Sequence, residues 1–245
     1  MLELNHISFD VETEKGTKGI LHDVSLKFED DKFYVITGPN GGGKSTLAKV
    51  IVGIDTPSQG RIIYDGEDIT DLSITDRARK GISYAMQQPV KFKGIQVIDL
   101  LRIASGKPLT RMECCAYLSE VGLCANDYVD REVNAALSGG ELKRIEIATV
   151  IARGTRLSVF DEPEAGIDLW SFQNLIHIFE RMQKKLSGTM IIISHQERIL
   201  KIADEIIVIA DGRVVKQGPR EEILPGLLGT DSAVAACAEL EKGDA

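Results

Sequence analysis

One nine-residue stretch narrows the folds open to this chain more than any other: Gly38-Pro39-Asn40-Gly41-Gly42-Gly43-Lys44-Ser45-Thr46. It fits the spacing G-x-x-x-x-G-K-[ST] at every fixed position. An apolar run, Phe33-Tyr34-Val35-Ile36, precedes it, and a helix-like run, Leu47 to Val52, follows. The spacing acquires meaning only in such a strand–loop–helix setting. The glycines let backbone N–H groups turn inward without a Cβ clash, which makes a concave anion nest at a helix N-terminus. Lys44 adds a mobile charge for terminal phosphates, and the Ser45 hydroxyl is of the kind that ligates Mg²⁺. A Gly-rich turn that binds nothing is the bland alternative, and it leaves the complete motif unexplained.

The chain has 245 residues, enough for one large domain or for a domain carrying a smaller lobe. Its net charge of −8 argues against broad attraction to nucleic acid or anionic lipid, so a phosphate site must be local. No apolar run approaches the ~20 residues of a membrane span, and direct membrane insertion is not expected. The N-terminus does not read as a signal peptide, so the expected localisation is cytoplasmic. The cysteines, Cys114, Cys115, Cys124 and Cys237, lack C-x-x-C spacing. Small buried thiols are expected of them rather than a zinc site or a disulfide framework.

Along the chain, alternation at Leu2, Leu4, Ile7, Phe9 and Val11 predicts a strand. A polar turn is expected over 14–19, then a second strand over 20–28. Gly60 to Gly66 predicts a short strand ending in an Asp-Gly turn. The character becomes helical from about Asp99 to Ala136, where Thr110 and Glu113 have the spacing of a capping box. Leu157 to Phe160, Met190 to Ile193 and Ile206 to Ile209 are near-continuous apolar runs suited to a sheet buried on both faces. The expected fold class is therefore α/β with a mostly parallel sheet. The single domain 1–245 divides into a core (1–86 and 146–228), a helical sublobe (about 87–145) and a tail (229–245).

Asp161 and Glu162 end the first of those buried runs, where α/β sheets place ligands. Asp161 is the candidate to hold Mg²⁺ through water, and Glu162 the candidate to orient and polarise an attacking water. Leu137-Ser138-Gly139-Gly140-Glu141 precedes a further helix carrying Lys143 and Arg144, and its backbone N–H groups suggest a second phosphate site. One γ-phosphate has no need of two such sites within a chain. A head-to-tail dimer, each copy covering the other's nucleotide, is the economical solution.

These elements, in this order, resemble the ATP-binding cassette (ABC) ATPases over about residues 1–220. The resemblance implies a P-loop NTPase fold with an N-terminal antiparallel β-subdomain and a helical sublobe, ATP and Mg²⁺ as ligands, and ATP hydrolysis. It also implies roles for single residues. Ser138, Gly139, Gly140 and Glu141 match the signature that acts across a dimer. Gln87 matches the glutamine that senses Mg²⁺, His195 the histidine contacting the γ-phosphate, and Asp168 the aspartate of the coupling loop. Catalysis would then rest on Glu162, His195 and Lys44. Val11 falls where an aromatic normally stacks on adenine, which forfeits about 1–3 kcal/mol of stacking. Ala165 stands where the family usually carries serine.

Several stretches are more similar to the ATPase of the SUF iron–sulfur assembly system. Arg131-Glu132-Val133-Asn134 runs into Ser138-Gly139-Gly140-Glu141-Leu142-Lys143-Arg144, where SUF ATPases have S-G-G-E-x-K-R and transporter cassettes usually S-G-G-Q-x-Q-R. Gln87-Gln88-Pro89-Val90, His195 to Leu200 and Ala210 to Lys216 resemble that branch as well. The expected partners are thus a second copy and a SUF-like scaffold of the SufB/SufD type, docked near Gln87 to Leu100. The alternatives are an energy-coupling subunit of a membrane transporter and a slow nucleotide-dependent switch.

Overall fold

The computed structural model describes residues 1–14, 16–134, 136–185 and 188–229. The chain opens with β1 (Leu2–Thr13), β2 (Gly16–Phe28) and β3 (Phe33–Thr37), then α1 (Lys44–Val52), β4 (Gln59–Tyr64) and β5 (Glu67–Asp68). Next come α2 (Ile74–Arg79), β6 (Ile82–Ala85), α3 (Val97–Ser105), α4 (Arg111–Glu120), α5 (Ala125–Tyr128) and α6 (Gly139–Arg153). The last third holds β7 (Leu157–Asp161), α7 (Leu169–Lys185), β8 (Thr189–Ile193), α8 (Glu197–Leu200), β9 (Glu205–Ala210), β10 (Arg213–Pro219) and α9 (Arg220–Leu228). Two compact units result. One joins Met1–Ile74 to the described residues from Ile193 onward, and the other lies within Thr75–Ile192.

In the first unit, β1 pairs antiparallel with both β2 and β4, and β5 adds to β4 through the turn Asp65-Gly66. Both turn residues have positive φ, 51° and 82°, as the tight hairpin turn demands. The polar turn expected over 14–19 is shorter than that. Thr13 pairs with Gly16 and Val11 with Lys18, so residues 16–19 belong to β2. Their side chains are polar because this end of the hairpin is largely exposed. β3 runs parallel to β9, and β10 returns antiparallel to it. All five side chains of β3 are buried, with Tyr34 set edge-on to Phe28 at 5.0 Å between ring centroids.

In the second unit, β6 pairs parallel with β7, and β7 lies between β6 and β8. Every residue of β7 and β8 is buried, the consequence of their uninterrupted apolar sequence. Phe160 meets Phe179 of α7 edge-on at 5.1 Å. The capping box expected at Thr110 is formed: Thr110 Oγ1 accepts the Glu113 N–H, and the Glu113 carboxylate accepts the Thr110 N–H at 2.7 Å. Of the three described cysteines Cys114 is buried, and burial pushes its thiol pKa up, while Cys124 is exposed. Cys237 and the tail from residue 230 lie outside the described residues.

Candidate nucleotide site

The phosphate loop lies in the first unit. β3 ends at Thr37, and α1 begins at Lys44 with Gly43 as its N-cap, in left-handed conformation (φ 99°). Gly38 shows why the loop needs glycine. Its φ is 133°, and a Cβ there would lie 2.0 Å from the Ile209 carbonyl oxygen of β9. The Gly42 carbonyl accepts the Gly212 N–H at 3.0 Å, so the β9–β10 turn also braces the loop. Lys44 is buried, and its Nζ donates to the carbonyls of Gly38 and Pro39 at 2.9 and 2.8 Å. The ammonium is thereby held within the loop instead of ranging through solvent.

His195 is exposed in the segment after β8. The Ser194 N–H donates to the Ile36 carbonyl of β3 at 3.1 Å, and Ser194 Oγ accepts the Gln196 N–H. That ties the histidine's segment to the strand feeding the phosphate loop. Val11 sits half-buried on β1, opposite Lys18.

The strand-end carboxylates lie in the second unit. Asp161 is buried at the end of β7 and accepts a hydrogen bond from the Tyr84 hydroxyl at 3.0 Å. Glu162 follows with φ 44°, a left-handed conformation uncommon for a residue with a long side chain. Its Oε2 accepts from Gln87 Nε2 at 2.6 Å. The structure thus joins Gln87 to Glu162, a contact the sequence did not disclose.

The stretch around Ser138 also belongs to this unit. Ser138 is the N-cap of α6 and closes a capping box with Glu141: Ser138 Oγ accepts the Glu141 N–H, and Glu141 Oε2 accepts the Ser138 N–H at 2.6 Å. The Tyr128 hydroxyl donates to Glu141 Oε1, and the Arg131 guanidinium lies 5.0 Å from the Tyr128 ring centre. The Tyr128 hydrogen bond, helped by those from Ser138, holds the Glu141 carboxyl below the usual glutamate range. The Asp168 carbonyl accepts the Phe172 N–H at 2.9 Å in the first turn of α7.

Glu146, and the contacts that it and Lys143 make, escaped sequence reading. Lys143 and Glu146 stand in α6 beside Leu142, Ile145 and Ile147, and both meet the backbone of Met86. Burial raises the Glu146 carboxyl above its usual range, against the opposing pull of Lys143. Only their i,i+3 spacing on an otherwise apolar helix face hinted at a buried pair. A cavity of about 230 Å³ opens beside them, lined by Met86, Val90, Phe92, Leu100, Val133 and Glu146.

A phosphate loop at a helix N-terminus, and strand-end carboxylates in an α/β setting, define a P-loop nucleotide-binding protein. The profile of the ABC transporter family matches residues 21–165. An uncharacterized ABC transporter ATP-binding protein of Methanocaldococcus jannaschii is 38% identical over 222 residues, covering 87% of this chain and 88% of that protein. The molybdate/tungstate import ATP-binding protein WtpC of Thermococcus kodakarensis is 34% identical, over 83% of this chain and 62% of its own length. Among solved structures, an ATP-binding cassette dimer in a post-hydrolysis state with ADP and phosphate superposes with a TM-score of 0.81. It covers 90% of this chain and 99% of that one at 21% identity, which concerns fold alone. The chain belongs to the ABC transporter family and has the fold of its ATP-hydrolysing cassettes.

Proposed function

We propose that this chain is the ATP-binding and ATP-hydrolysing subunit of an ABC transporter, acting as a head-to-tail pair on a membrane-embedded partner. The observation that carries the enzymatic part is the phosphate loop, braced by β9 and holding Lys44 at its centre. In this reading Gly38 to Thr46 take the phosphates, and Lys44 compensates their charge. Glu162 polarises the attacking water, with Gln87 fixing its carboxylate and His195 contacting the γ-phosphate. Ser45, Gln87 and Asp161 offer hydroxyl, amide and carboxylate oxygens, the hard donors that suit Mg²⁺. When bound, that ion would neutralise charge on the phosphates.

The signature Ser138 to Glu141 would close over a second copy's nucleotide, and Asp168 would couple the two sites. Gly140 favours this, because a Cβ there would meet nothing within 4 Å of its own chain. Its being glycine is therefore not demanded by local packing. The partner would enter the cavity beside Val90 and Phe92, in the helical sublobe 87–145. The names of the relatives support a transport partner. Among the described residues no helix is long and apolar enough to cross a membrane, so the span would belong to that partner. We place the chain at the cytoplasmic face.

One observation favours a second reading, the SUF-type assembly ATPase acting on a SufB/SufD-type scaffold. Lys143, where transporter cassettes usually carry glutamine, is buried and bonded to the Met86 carbonyl. Fractionation of cells expressing the tagged chain separates the two. Recovery with an integral membrane protein supports transport. Recovery with a soluble protein that binds an iron–sulfur cluster overturns it in favour of assembly.

A further inference from the structure

The pair of buried Lys143 and half-buried Glu146 lies outside the machinery described so far. The side chains are 2% and 16% exposed, and their charged atoms lie 3.4 Å apart. Burying two charges is costly, and an apolar pair of similar volume would often serve stability as well or better. The mutual contact is also not the best that either group makes. Lys143 Nζ donates to the Met86 carbonyl, and Glu146 Oε1 accepts the Met86 N–H at 3.0 Å. The two side chains thus grip the peptide groups on both sides of one α-carbon. The next residue is Gln87, whose amide donates to Glu162 at 2.6 Å. Both gripping residues belong to α6, the helix capped by Ser138.

We propose that Lys143 and Glu146 are positioning residues for hydrolysis. They fix Met86 so that the Gln87 carboxamide meets Glu162, which makes orientation of the water-polarising carboxylate depend on where α6 stands. A signature helix displaced by its partner's nucleotide would carry Met86 with it and reset the Gln87–Glu162 contact. This inference rests on the proposed role of Glu162.

The test is steady-state ATP turnover by the full chain, with affinity for a non-hydrolysable ATP analogue measured beside it. Misplacement of a catalytic group by about an ångström costs up to about a hundredfold, so Lys143→Met should lower kcat about tenfold or more. KM and analogue affinity should stay within about twofold, since no phosphate ligand changes. Lys143→Arg, which keeps the donor and the charge, should recover at least half the rate. In a Gln87→Ala background Lys143→Met should cost nothing further, because the link it acts through is already cut. A purely structural pair would instead lower the melting temperature with kcat unchanged, or give losses that multiply with that of Gln87→Ala. Either result overturns the proposal. If Lys143→Met fails to fold, Lys143→Met combined with Glu146→Leu removes both charges and should show the same loss in kcat. Glu162→Gln serves as the reference. Unchanged turnover in that variant removes the reading on which the inference rests. A dead Glu162→Gln beside fully active Lys143 variants defeats the inference alone.

Discussion

Glu162 shows at the scale of one residue how position is set against strain. A glutamate at φ 44° occupies a region worth about 1–3 kcal/mol of strain. The gain is direction: the chain turns sharply after β7, and the carboxylate meets Gln87 instead of continuing the alternation of the strand. Glutamine at this position keeps the size and an acceptor for Gln87 but loses the negative charge proposed to polarise water. Glu162→Gln should therefore retain ATP binding and lose turnover by at least ~10²-fold, read from phosphate release and nucleotide affinity together. Wild-type turnover would remove Glu162 from its assigned role.

At the scale of elements, α6 is held at its start by Glu141, one of whose oxygens caps Ser138 while the other takes the Tyr128 hydroxyl. The folded-state pKa of Glu141 lies below its ordinary value. These bonds therefore stabilise fully above the ordinary glutamate range and are lost as pH falls through the lowered folded value. Tyr128→Phe removes the leading cause of that lowering. At neutral pH it should cost about 1 kcal/mol, or about 2–4 °C in melting temperature for a chain of this size. The gap from wild type should narrow as pH falls below the ordinary glutamate range, and thermal scans across pH that show a constant gap would count against the account. How legible such elements were depended on the range of the interactions involved. β7, β8 and β9 could be read because an unbroken apolar run needs no knowledge of its neighbours. The Thr110 cap could be read because its partners are three residues apart. The β1–β2 turn was placed too wide because exposed strand residues such as Thr17 and Lys18 have the composition of a loop. Tyr84 on Asp161, and Lys143 and Glu146 on Met86, could not be read at all: they join residues 57 to 77 positions apart, which only the fold brings together.

At the scale of the whole molecule, the proposed pairing depends on what the chain leaves uncovered. Ser138 and Gly139 are exposed at the start of α6, and the space beyond Gly140 is open. A helix N-terminus offers N–H groups and a positive dipole end to an anion. The proposed anion is the terminal phosphate on a second copy, each copy bearing a net charge of −8. Two such chains repel at long range, so closure must be driven by short-range contacts around the nucleotide. Ser138→Arg places a long cationic side chain at that helix start, where the dipole disfavours it and where it fills the space the phosphate needs. In the Glu162→Gln background, where hydrolysis is expected no longer to reopen the proposed pair, ATP should double the mass seen by light scattering. Adding Ser138→Arg should abolish the doubling while leaving nucleotide affinity of the single copy within about twofold, because the phosphate loop is untouched. Undiminished ATP-dependent doubling in the double variant would mean that α6 faces something other than a second copy of this chain.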